Sequence, residues 1–305
     1  MGNEPYSVVW VVPEDPYACR NRFLEASRAG KSVNVYEMVS WEVDYLRLLF
    51  PNATWSWVNE IDKLAALKPE VVVFPSNTFT LNEFTFSEWT PLILVYLDDE
   101  WGCTPHVHRH TSKVPLVLRQ HHHSHYARAT NVRQIPLGFM NAMFDDPLAI
   151  PNGPPATERP YRWSFVGGIK GDRAQALEAF EGWGPYFCNP CPPHELARVY
   201  KNSKFVLCPR GNVSMDCFRN YEATICGAIP VVAGCSKREF LENFAQVASP
   251  PWVHARTWRR AQMICADLEK TGAIDDLQQA CLKWWKNQVL AVQHAISEVL
   301  DRSSR

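Results

Sequence analysis

The apolar residues of this chain gather into short unbroken runs: Ser7–Val12, Thr54–Val58, Val71–Pro75, Leu92–Leu97, Val114–Leu118 and Val132–Leu137. Unbroken runs of this length, rather than alternating ones, describe strands buried on both faces. Such strands arise where helices cover both sides of a parallel sheet. Amphipathic stretches near Glu37–Phe50 and Ile61–Leu67 fall between the runs, so the first half predicts stacked βαβ units.

Between Met140 and Pro160 the texture changes. Pro147, Pro151, Gly153, Pro154, Pro155 and Pro160 crowd into a stretch with no periodicity, which reads as an interdomain linker. Beyond it the alternation restarts, with strands at Trp163–Val166, Tyr186–Cys188, Phe205–Cys208 and Ile229–Ala233. Helices fall at Arg173–Phe180, Glu195–Lys201 and Cys217–Cys226. Trp258–Leu268 and Asp275–Leu300 are helical by spacing, and the last is long enough to return over the first half. At 305 residues the chain suits two domains. The expected fold is α/β, with two Rossmann-like doubly wound domains over residues 1–145 and 160–272 facing a central cleft. A C-terminal helix over 273–305 packs back on the N-terminal domain. In open α/β sheets ligands bind at the carboxyl ends of the strands, so the chemistry is sought there.

Charge narrows the partners. Thirty-one Lys and Arg stand against 32 Asp and Glu, a formal charge of -1, which argues against a protein that works by neutralising nucleic-acid phosphates; no nucleic-acid partner is expected. No apolar run approaches the roughly 20 residues that cross a bilayer, and the N-terminus lacks a signal pattern, so no transmembrane segment is expected. The cysteines are scattered singly and several, such as Cys208, Cys217 and Cys226, fall in core elements. They read as reduced packing residues of a cytoplasmic protein. The sequons Asn52-Ala53-Thr54 and Asn212-Val213-Ser214 leave the Golgi lumen as the alternative, should the chain be a trimmed ectodomain.

The most informative stretch runs from Ser203 to Val232. A buried strand enters Pro209-Arg210-Gly211, Ser214 follows, and a helix carries Arg219-Asn220-Tyr221-Glu222-Ala223. Gly227 closes it before Ile229-Pro230-Val231. Arg219 and Glu222, three apart, share one helix face. A cation for phosphate beside a carboxylate for ribose hydroxyls is what a sugar nucleotide requires. Upstream, Gly167 and Gly168 lead to Arg173 and a helix whose free N–H groups suit an anion.

This pattern of Pro-x-Gly, Ser, Arg-x-x-Glu-Ala and Gly-Ala-Ile-Pro-Val resembles the signature of the exostosin family of glycosyltransferases. The resemblance is good over about residues 160–240. It is weak in the first half, where Asp98-Asp99-Glu100-Trp101-Gly102 and Ile135-Pro136-Leu137-Gly138 carry it. In size the chain is similar to small exostosin-domain proteins of algal viruses. The resemblance implies a GT-B fold and an inverting transfer from a nucleotide diphosphate sugar to a glycan hydroxyl. The donor it implies is UDP-linked, and the viral likeness points to UDP-xylose. It also implies donor contacts at Gly167, Gly168, Arg173, Pro209, Arg210, Gly211, Ser214, Arg219 and Glu222. No essential metal or cofactor is expected, because Arg173, Arg210 and Arg219 can neutralise the leaving diphosphate.

An inverting transfer needs a general base. Asp98, Asp99 and Glu100 follow the Leu92–Leu97 strand, and Asp99 or Glu100 is favoured; Glu14 is held in reserve. Seven of the ten histidines fall between His106 and His125, either a polar rim or the start of a zinc site. Two other functions therefore stay open: a non-catalytic nucleotide-sugar or glycan-binding protein, and a zinc hydrolase built on those histidines. Cys188-x-x-Cys191 lacks a second pair, and Trp284-Trp285 reads as core.

Overall fold

The structure, a computed structural model, describes residues 5–29, 40–75, 89–101, 112–126, 129–144, 146, 153–244 and 247–303. It divides the chain into two compact units, Met1–Pro136 with Val289–Arg305, and Leu137–Gln288.

In the first unit the strands are β1 (Tyr6–Val11), β2 (Ala53–Val58), β3 (Val71–Pro75), β4 (Ile93–Leu97), β5 (Leu116–Arg119) and β6 (Val132–Gln134). They form one sheet in the order β2-β1-β3-β4-β5-β6, parallel throughout. β3 and β4 are buried along their whole length, as their unbroken apolar runs require. Each fully buried Val, Leu or Ile contributes roughly 1.5–3 kcal/mol. Helices α1 (Pro16–Arg28), α2 (Val43–Leu49) and α3 (Asp62–Leu67) lie between the strands. The helix expected around Glu37–Phe50 is shorter, starting at Val43; its residues 37–39 fall outside those described. α1 is a further element that apolar periodicity did not show. Its start is set by Asp15, whose Oδ1 accepts from the Tyr17 amide at 2.9 Å, followed by Pro16 at the first helical position, where a missing N–H costs nothing.

The second unit holds β7 (Tyr161–Ser164), α4 (Arg173–Phe180), β8 (Tyr186–Phe187), α5 (Pro193–Lys201), β9 (Ser203–Leu207), α6 (Phe218–Ile225), β10 (Ile229–Ala233), α7 (Lys237–Asn243), β11 (Val253–Ala255), α8 (Trp258–Thr271) and α9 (Ile274–Ser303). The sheet order is β11-β10-β9-β7-β8, again parallel. Trp163, Phe165, Phe205, Leu207, Ile229 and Val231 pack with Ala176 and Phe180 of α4 and with Trp258, Ala261 and Cys265 of α8. Because side chains alternate across a strand, Ser164, Val206 and Cys208 face the opposite side, where α5 and α6 pack. Helix α9 runs on from the second unit, and its residues from Val289 group with the first, where Gln293 donates to the Leu48 carbonyl at 2.8 Å. Trp284 and Trp285 are buried beside Tyr221 and Trp252, as core residues. No helix among the described residues is long and apolar enough to cross a membrane.

Candidate active site

The second sheet reverses its winding between β7 and β9. After β7 the chain goes to the β8 edge, and from β9 onward it builds toward β11 on the other side. The loops leaving β7 and β9 diverge at such a switch point and leave a crevice at the strand ends. Every donor-side residue named from the sequence lies on those two loops or on the helices they enter.

Gly167 has φ +147, which favours glycine. A side-chain carbon placed there would stand 3.3 Å from Arg219 Nη1 and 4.0 Å from Arg173 Nη1, so two guanidinium groups converge on one glycine. Arg173, at the first turn of α4, donates from Nη1 to the Gly168 carbonyl at 2.7 Å and from Nη2 to the Arg210 carbonyl at 3.4 Å. It thereby ties the β7 loop to the β9 loop. Arg219, in the first turn of α6, donates from Nη2 to the Pro209 carbonyl at 3.1 Å and lies 5.6 Å from the centre of the Phe165 ring. Its Nε is buried without an acceptor, and among the described residues no carboxylate pairs with it. An i,i+3 ion pair with Glu222 is therefore not what this spacing produces.

Glu222 is 1% exposed and accepts from the Met140 amide at 3.2 Å. Burial pushes its carboxyl up to about 7, against the opposing pull of that amide and of Arg219. Two hydroxyls on the same side of the sheet, Ser164 Oγ and Tyr200 Oη, are buried with no partner. Sequence reasoning did not single out either hydroxyl as a site group. Buried polar atoms left unsatisfied are uncommon, and here they accompany an unmatched cation and a carboxyl near neutrality, as expected of a place that receives a polar ligand.

The remaining donor-side residues are placed differently. Arg210 is committed to Glu239 at 2.6 Å, so its charge is already matched. Gly211 donates its amide to the Ser214 carbonyl at 2.9 Å. The Ser214 hydroxyl accepts from the Asp216 amide at 3.0 Å. These two residues hold the shape of the loop that Pro209 begins.

In the first unit, Asp98, Asp99 and Glu100 stand at the carboxyl end of β4. Asp99 is bound to Arg119 at 3.1 Å, and the Arg119 guanidinium lies 4.0 Å from the Tyr126 ring centre. Asp98 takes the left-handed region at φ +65, and its amide donates to Gln120 Oε1 at 3.0 Å. Its carboxyl meets that of Glu42, and burial with this like charge raises it well above the usual range. Glu42 was not read as a site residue. Nothing in its neighbourhood of the sequence signals a partner 56 positions away. Glu14 is exposed and paired with Arg22 at 2.6 Å.

Of the histidines, His106, His108 and His110 and the side chain of His125 fall outside the described residues. His123 Nε2 lies 2.8 Å from the Asp99 carbonyl, to which it must donate. His121 is buried at φ +58, its Nδ1 unpartnered, and burial drives its ring down to about 4. Among the described residues no three His, Cys, Asp or Glu side chains gather as a metal site. Cys188 and Cys191 are free thiols, both raised by burial.

A family model for the Sak single-strand annealing protein matches residues 20–100, well under half of the chain. No curated protein matches it. Among solved structures, an alpha-glucosyltransferase in complex with UDP and a 13-mer DNA is 9% identical, with 92% of this chain and 95% of that chain covered and a TM-score of 0.47. HepE of Anabaena in complex with UDP and glucose is 10% identical, with 97% and 100% covered and a TM-score of 0.48. The spinosyn rhamnosyltransferase SpnG complexed with thymidine diphosphate is 10% identical, with 96% and 99% covered and a TM-score of 0.39. Similarity at this level carries no substrate from those proteins to this one.

Proposed function

We propose that this chain is a glycosyltransferase of exostosin type that moves a monosaccharide from a UDP-sugar, with xylose as the first donor to test, to a hydroxyl of a glycan acceptor with inversion. The observation that carries the reading is the convergence of Arg173 and Arg219 on Gly167 at the switch point of the second sheet, with Glu222 one helical turn from Arg219. Two guanidinium groups suit a diphosphate, and they stabilise it most as it departs with an added negative charge. Glu222 suits paired ribose hydroxyls: near neutrality it loses its proton readily to accept from them. Ser164 and Tyr200 offer further hydroxyls to the donor.

In the transfer the acceptor oxygen forms a bond to the anomeric carbon while the bond from that carbon to the diphosphate oxygen breaks. The electron pair leaves with the diphosphate, and the acceptor proton passes to a carboxylate of the Asp98–Glu100 turn. Asp99, held by Arg119, is the least available of the three. Charge neutralisation rests on the arginines, so the reaction proceeds without a divalent cation, and the protein works in the cytoplasm.

A panel of nucleotide sugars screened for thermal stabilisation tests the reading, since a ligand bound only by the native state raises apparent stability by mass action. UDP-sugars raise Tm in the wild type and far less in Arg219→Ala. A duplex DNA arm is included, and selective stabilisation by DNA with none by UDP-sugars would overturn the assignment.

A further inference from the structure

Glu42 stands just ahead of α2, fully buried, and its carboxyl is unusually well supplied with donors for a group that faces another acid. Glu42 Oε2 accepts from the Ser40 hydroxyl at 2.9 Å and from the Trp41 amide at 3.0 Å, while Oε1 accepts from Gln120 Nε2 at 3.1 Å. Those three donors oppose the burial that raises the Glu42 carboxyl above its ordinary range. Asp98 has the reverse arrangement. Its Oδ2 is buried without a partner, and its backbone takes the left-handed region, which Asp reaches more readily than most residues. The amide of Asp98 is fixed to the same Gln120 that donates to Glu42, so one glutamine sets the geometry of both acids. Asp98 nevertheless remains partly open to solvent.

The charges around the pair do not relieve it. Asp99 and Arg119 neutralise each other at 3.1 Å, His121 is kept uncharged by burial, and Glu100 bears on His121. The only charged group bearing on Asp98 among the described residues is Glu42. A like charge beside a buried carboxylate increases its hunger for a proton. A carboxylate tuned in this way is a stronger base than an isolated one.

We infer that Glu42 and Asp98 form a proton-sharing carboxyl pair in which Glu42 positions and strengthens Asp98, and Asp98 is the group that takes the proton from the attacking acceptor hydroxyl. The catalytic half of this inference rests on the transferase reading above; the proton-sharing half does not. In the step, the acceptor O–H bond breaks, the proton binds Asp98 and is then held between the two carboxyls, and it leaves to water after product departs. Glu42 touches no substrate and acts through Asp98.

The experiment uses the full chain with Asp98→Asn, which mimics the protonated acid, and Glu42→Gln, which removes the neighbouring charge. For UDP-sugar transfer, Asp98→Asn lowers kcat by about 10²-fold or more, while UDP affinity stays within about twofold of wild type. Glu42→Gln moves the acidic limb of the kcat–pH profile to lower pH, an effect that a merely structural loss does not produce. As a readout free of activity, Tm is followed from pH 4 to 9. A raised native carboxyl stabilises below its unfolded pKa and loses that contribution as pH rises through its folded value. The wild type therefore loses stability across this range, and both variants flatten the slope. Asp98→Asn with undiminished kcat overturns the catalytic role, and an unchanged Tm slope in both variants overturns the shared proton. Absence of UDP binding in the wild type refutes the transferase reading instead and leaves the Tm comparison to decide the pair.

Discussion

Arg119 Nη2 lies 3.1 Å from Asp99 Oδ2, with the two side chains 2% and 6% exposed. This contact separates two adjacent acids into different trades. Asp99 turns toward β5 and an arginine that covers Tyr126, while Asp98 turns to Glu42. The Asp99 carboxylate is thus engaged by a buried guanidinium within the first sheet.

Removing one partner of a buried pair leaves the other charge uncompensated and costs about 3–5 kcal/mol. Arg119→Ala is expected to destabilise the fold by an amount of that order in chemical denaturation. The same variant keeps more turnover per folded molecule than Asp98→Asn.

Burial pushes the Glu222 carboxyl up to about 7 from its ordinary 4.5. Because its native value is raised, the stability it contributes is fully present below about pH 4.5 and is lost as pH rises through about 7. The difference corresponds to roughly 3–4 kcal/mol at most, since one pKa unit is about 1.4 kcal/mol. Glu222→Gln is expected to reduce the fall in Tm between pH 5 and 8. In the wild type UDP binding tightens over the same range as the carboxylate forms, and calorimetric titration at the two ends checks it.

Arg159 gathers four carbonyls, those of Pro154, Tyr200, Ser203 and Cys226, at 3.0–3.1 Å. Its Nη2 would sit 2.7 Å from a side-chain carbon at Gly227, where φ is +71. Gly227→Ala is therefore opposed both by the backbone and by an arginine that cannot withdraw without stranding buried acceptors. A loss of at least about 1–3 kcal/mol is expected in urea unfolding.

Charge neutralisation by Arg173 and Arg219 predicts that EDTA leaves transfer activity within about twofold of its starting value. Loss of activity restored by Mg²⁺ or Mn²⁺ would return the diphosphate to a metal.

Much of this architecture was readable from the apolar runs. β3, β4, β9 and β10 are unbroken because helices cover both faces, and the sequence marks them within two residues. α4 and α6 were equally plain. Two helices were missed although their signals were present. Asp15-Pro16 starts α1, and Ser236 caps α7 by accepting from the Glu239 amide at 3.1 Å, the Ser-x-x-Glu pattern of a capping box. Periodicity was followed there in place of caps. The grouping of Gly167, Arg173 and Arg219 was legible because they sit close to strand ends in the chain. The acid side was not, because Glu42, Asp98 and Gln120 come together only when α2, β4 and β5 pack, and no local spacing records that.

In the proposed function, Arg173, Arg219 and Glu222 together hold a nucleoside diphosphate. Calorimetric titration of UDP into the full chain, its Arg219→Ala variant and its Glu222→Ala variant measures this directly. Saturable binding by the wild type, weakened at least about tenfold in each variant, is the predicted result. Binding of equal strength in all three, or none in the wild type, contradicts the account.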